Sequence, residues 1–179
     1  VASRTNFMTQ LSSGSWTLVI FDMPGLEPDG AWETSLAGFI ATDGLVIGCG
    51  GDDTSITSLA VPLEITRHPA HQVVPLYRWD ATHEVFTTPN AVPDITTGTT
   101  DLWPDNGFHL LSRGSASIVA GDTSTSTFLR GTMVVGNDER TIYNGFLFDD
   151  YALADNDADG LSDAVELVQN QITLVLNTL

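Results

Sequence analysis

Two runs in this sequence are apolar on both faces of an extended strand. In residues 15–22, Trp16, Leu18 and Ile20 alternate with Val19 and Phe21. In residues 140–148, Ile142, Phe146 and Phe148 oppose Tyr143 and Leu147. A strand of this kind must be covered on both sides. Further short apolar runs occur at 36–41, 44–48, 56–66, 73–79, 83–88, 107–112, 115–120 and 126–135, separated by Gly, Pro, Asn and Asp. Such runs, with turn residues between them, read as strands. About ten strands, with no helical periodicity between residues 14 and 148, predict an all-β two-sheet sandwich or barrel, jelly-roll-like. A sandwich covers one face of each strand. Either long loops of the chain or a partner subunit must cover the other.

At 179 residues the chain has room for one ordinary domain and a short appendage. A chain of this length buries roughly 70% of its unfolded surface, so it needs no disulfide staples. Its single cysteine excludes a disulfide framework, a zinc ribbon and a CxxC pair. No apolar run reaches the roughly 18 residues of a membrane span. The longest loop candidate is 87–106, with Pro89, Pro93, Pro104 and Trp103.

Charge narrows the class further. There are 17 Asp, 6 Glu and 6 Arg, no Lys, and a net charge of −17. Such a field repels nucleic acid and anionic membranes, and neither is expected as a partner. In dilute buffer it also strains the fold by self-repulsion, which molar salt removes by shortening the Debye length to about 3 Å. Carboxylates hold water and cations at a surface, whereas a Lys stem exposes methylenes that strong salt penalises. In this balance the chain resembles proteins of salt-in halophiles or of their viruses. Residues 1–10 lack the apolar core of a signal peptide, and Val1 suits either initiator removal or signal cleavage.

Composition changes near residue 150, which divides the chain into a β domain at 1–150 and a C-terminal piece at 151–179. Asp149 to Asp163 holds six Asp in fifteen residues. Val165, Val168, Ile172, Val175 and Leu179 then fall at helical spacing and predict a C-terminal helix. Between these features lies DNDADGLSDAVE, residues 155–166. Asp155, Asp157 and Asp159 stand at positions 1, 3 and 5 of a twelve-residue loop. Gly160 at position 6 permits a sharp turn, the Leu161 carbonyl falls at position 7, Asp163 at 9 and Glu166 at 12. Ca2+ takes six to eight oxygens in a flexible shell, and this spacing supplies them. The pattern resembles the calcium loop of EF-hand and dockerin modules, and more closely the DxDxDGLSDxxE repeats of the thrombospondin type 3 kind. The resemblance implies that Asp155, Asp157, Asp159, Leu161, Asp163 and Glu166 ligate one Ca2+. Ser162 departs from EF-hands, which carry an aliphatic residue there, and no entering helix precedes Asp155. The expected role is structural, with binding energy becoming folding energy.

Other constellations are weak. His68, His71 and His83 lack a fixed fourth ligand and read as surface or edge-strand histidines. Cys49 sits in a Gly-rich turn, as a small buried hydrophobe or an intersubunit bridge. No nucleophile elbow, P-loop or dinucleotide fingerprint occurs, so the expectation is a non-enzymatic protein. Two function classes remain. Strands apolar on both faces, with the halophile composition, resemble the small single-jelly-roll capsid proteins of halophilic icosahedral viruses. That implies a virion shell subunit assembling with its own copies and a second shell protein. The alternative is a secreted or cell-surface calcium-dependent binding module, for glycans or adhesion, with Trp79 or Trp103 as sugar platforms.

Overall fold

In the computed structural model, residues 4–23, 30–50, 56–71, 75–98 and 107–179 are described. The doubly apolar runs become the parallel part of one mixed sheet. β1 (Leu18–Met23) pairs in parallel with β2 (Leu45–Gly50), and β2 in parallel with β8 (Thr141–Asn144). Antiparallel strands extend the sheet through β7 (Gly131–Gly136), β5 (Gly107–Ser112) and β3 (Ile65–His71). β6 (Ser117–Gly121) also pairs with β7, and β4 (Tyr77–Arg78) pairs with β6.

Helices cover both faces. α1 (Arg4–Ser13) packs on α2 (Gly30–Ala41), the crossover from β1 to β2. Trp32, Leu36 and Ile40 of α2 meet Val19, Phe21, Val46, Val134 and Tyr143. On the opposite face, α3 (Asp163–Leu176) sets Leu167, Leu174 and Val175 against Leu45, Ile47, Met133, Val135 and Ile142. Val19 and Phe21 of the first run face α2 while Ile20 stays exposed. The 140–148 run is a strand only to Asn144 and gives way to a 3-10 turn at Phe148–Tyr151. The C-terminal helix forms where expected.

The sheet-rich expectation holds, and the arrangement differs from two facing sheets. The described strands form a single sheet. Its two covers are the chain's own helices together with loop segments, Leu76, Val85, Phe86, Val92 and Ile95 on the α3 side and Ile56, Leu59 and Leu63 on the α2 side. Residues 36–41, expected as a strand, belong to α2, because Trp32, Leu36 and Ile40 repeat every four residues and make one helical stripe. Residues 83–88 hold a 3-10 turn at Glu84–Phe86, and 56–66 hold another at Ile56–Ser58 before β3 begins. Cys49 lies within β2 rather than in a turn, fully buried.

Candidate metal centre

The segment between Ala154 and Asp163 closes on itself, with the Asp163 N–H donating to the Ala154 carbonyl at 2.8 Å. Inside this closure, acidic side chains fold back onto the main chain. Asp155 Oδ2 accepts from Gly160 N at 3.3 Å, Asp157 Oδ1 from Asp159 N at 3.3 Å, and Asp159 Oδ1 from Leu161 N at 2.8 Å. Short polar side chains favour such turns, which aim successive carboxylates inward. Gly160 has φ of 94°, a left-handed conformation that glycine adopts without strain. The sharp turn expected at position 6 is present.

The outcome is two overlapping groups of three carboxylates, the first exposed and the second reaching into the interior. Oxygens of Asp155, Asp157 and Asp159 lie within 4.8 Å of one another, and so do those of Asp157, Asp163 and Glu166. Asp157 belongs to both groups. Leu161 follows Gly160 and enters the loop through its main chain, its side chain being partly exposed.

Glu166 is the most telling of the set. It lies on the first turn of α3, only 2% exposed, and its Oε2 has no hydrogen-bond partner. A buried carboxylate oxygen without a donor is costly, and negative neighbours add to the cost. Burial, followed by repulsion from Asp157, Asp159, Asp163 and Asp155, pushes its pKa from 4.5 up to about 7. A cation at the convergence point reverses both effects. The donors are all oxygens and several are carboxylates, which suits a hard ion such as Ca2+ better than Zn2+ with its nitrogen and sulfur ligands.

Two further residues of the loop were not foreseen as functional. Asn156 ties it to a distant segment: Oδ1 accepts from Thr97 N at 3.1 Å and Thr97 Oγ1 at 2.7 Å. Its Nδ2 donates to the Thr97 carbonyl at 3.1 Å and to Asp163 Oδ2 at 2.6 Å. One amide thus links the loop, the start of α3 and the 95–98 segment. The only sequence signal is an uncharged amide interrupting an acidic run. Ser162, noted as a departure from EF-hands, is the N-cap of α3, and its side chain accepts from Ala164 N at 3.3 Å.

The weaker candidates separate. His83 caps the Glu84–Phe86 turn, with Nδ1 accepting from Val85 N at 3.2 Å. His68 and His71 lie in β3, and no described histidine joins a group of metal-ligating side chains. The Cys49 thiol is pushed well up by burial and by Asp22, and Asn144 Nδ2 lies 3.4 Å from its sulfur. A thiol so placed neither reaches another chain nor ionises readily. Trp79 is half-buried over Gly121, its Nε1 donating to the Thr123 carbonyl at 2.7 Å. Trp103 lies outside the described residues. No helix among the described residues is long and apolar enough to cross a membrane.

No protein-family profile matches the chain, and no curated protein matches it. Among solved structures it is similar to one described as the mmIFT52 N-terminal domain, at 12% identity and a TM-score of 0.52. The match covers 98% of this chain and 81% of that one. At this identity the likeness is one of fold.

Proposed function

We propose that this chain is a non-catalytic, calcium-dependent structural module in which one Ca2+, held by Asp155, Asp157, Asp159, the Leu161 carbonyl, Asp163 and Glu166, fixes α3 onto the sheet. The observation that carries this reading is the buried, unpartnered Oε2 of Glu166 facing Asp157 and Asp163. Ligation neutralises the loop at the point where α3 begins, and Asn156 passes the constraint to Thr97. The cation thereby stabilises the part of the cover that α3 gives to one face of the sheet. The inert setting of Cys49 supports the non-catalytic part of the reading.

Two settings suit such a module: a shell subunit of a halophilic virion, assembled with its own copies and a second shell protein, or an extracellular or cell-surface binding module. α2 covers Val19 and Phe21 of the first doubly apolar run, α3 covers Ile142 of the second, and Trp16 and Ile20 of the first stay exposed. The acidic loop and the buried Glu166 support the calcium-dependent surface module, for a glycan or an adhesion partner.

Calorimetric titration of chelator-stripped protein with Ca2+ in multimolar KCl tests the reading. Saturable binding of one ion, lost in Asp157→Ala and weakened at least ten-fold in Glu166→Gln, is the expected result. Absence of saturable heat, with Asp159→Ala melting like wild type in the presence of Ca2+, would refute it.

A further inference from the structure

β1 is the outer strand at the parallel end of the sheet. Leu45 N donates to the Thr17 carbonyl at 3.1 Å, so the main-chain groups of Thr17, Val19 and Phe21 face β2. Those of Leu18, Ile20 and Asp22 face outward, where no described strand pairs with them. Edge strands are usually blunted by charged side chains, a Pro or a bulge. β1 has one charged residue, the exposed Asp22 near its end, and no Pro or bulge, and its register with β2 runs unbroken for six residues. Beside the edge runs a groove of about 240 Å³ between α1 and β1, lined by Phe7, Leu11, Trp16, Leu18 and Ile20 among others. Trp16 is 49% exposed and Ile20 46%.

Charge distribution identifies the occupant. The chain carries −17, yet none of its 23 carboxylate side chains falls in residues 1–21 or 167–179. The second stretch forms most of α3 and the residues after it, and Leu179 lines a neighbouring cavity with Leu11 and Trp16. The one acid in that cavity, Asp43, is paired with Arg140 at 2.8 Å. Two copies of so acidic a chain repel across most of their surfaces, but with the axis at Ile20 the Asp22 of each copy stands opposite Leu18 of the other and no two carboxylates pair directly. A strand edge is also self-complementary, since antiparallel pairing across a two-fold axis sets each outward N–H opposite an outward carbonyl.

We propose that the edge of β1, unpaired among the described residues, and the groove beside it dock a second copy of this chain by antiparallel pairing of the two β1 strands. The proposal does not depend on the calcium site, so the two succeed or fail separately. Light scattering on a sizing column in multimolar KCl tests it. Wild type is expected to elute as a dimer. Ile20→Glu, which sets two carboxylates against each other across the axis, is expected to elute as a monomer with an unchanged circular-dichroism spectrum. Phe128→Glu, at an exposed apolar residue between β6 and β7, is expected to remain a dimer. A monomeric wild type at the highest attainable concentration, or an Ile20→Glu dimer, overturns the proposal. Should Ile20→Glu fail to fold, amide exchange of the wild type decides: Leu18 and Ile20 exchange at least ten-fold more slowly as concentration rises, or the proposal is wrong.

Discussion

Glu166 is where the sequence, the loop geometry and the electrostatics meet. Without a cation its carboxyl titrates near 7 against 4.5 in the unfolded chain, so the folded state binds the extra proton between those values. By linkage, this residue's contribution to stability is complete below about pH 4.5 and is lost as pH rises through 7. Melting in chelator is therefore expected to show a pH-dependent loss across this window that Glu166→Gln removes. The same substitution is expected to act with opposite signs in the two conditions. It stabilises the protein above pH 7 in chelator, where it removes a buried charge, and destabilises it in saturating Ca2+, where it removes a ligand. Differential scanning calorimetry in both conditions checks this. A change of the same sign in both would mean that Glu166 is an ordinary buried acid.

The elements around the site hold it by side-chain bonds that can be cut one at a time. Asn156→Ala is expected to remove about 1–3 kcal/mol by freeing the buried partner groups around Asp163, and to weaken Ca2+ binding as well. Ser162→Ala is expected to remove about 1 kcal/mol through the cap of α3, with a smaller effect on the ion. Denaturant melts with and without Ca2+ separate these contributions. Gly98 has φ of 71°, and a Cβ there would lie 2.8 Å from Ala154 Cα, so Gly98→Ala is expected to destabilise by more than 1 kcal/mol. The sharp turn at Gly160 and the clustering of the acidic side chains around it were legible in the sequence from their spacing. Strands with continuous apolar runs, such as β1 and β2, were also legible. α2 was not: Leu36, Phe39 and Ile40 sit close enough to resemble a short strand, and the stripe emerges only when Trp32 is counted with them. The 3-10 turns at Glu84–Phe86 and Ile56–Ser58 carry β-like residues, Val85 and Phe86 in one and Ile56 and Thr57 in the other. Their capping and tertiary packing override that preference. Asn156 escaped notice because its role depends on Thr97, which is distant in sequence.

The whole molecule joins a helix-covered mixed sheet to a surface with a large excess of carboxylates. Pattern in the strands showed that both faces need cover, but not whether the cover is a second sheet, a partner or helices. That choice depends on α1 and α2, whose stripes are short and interrupted. The net charge of −17 leads to a further expectation: the melting temperature rises with KCl as the Debye length falls from about 30 Å at 0.01 M to about 3 Å at 1 M. The central claim is that one Ca2+ holds α3 on the sheet, and hydrogen exchange reads it most directly. On adding Ca2+ to stripped protein in multimolar KCl, amides of Asp163–Leu176 and of Thr96 and Thr97 should become protected together, while β5 stays unchanged. Unaltered exchange in α3 at saturating Ca2+ would contradict the account.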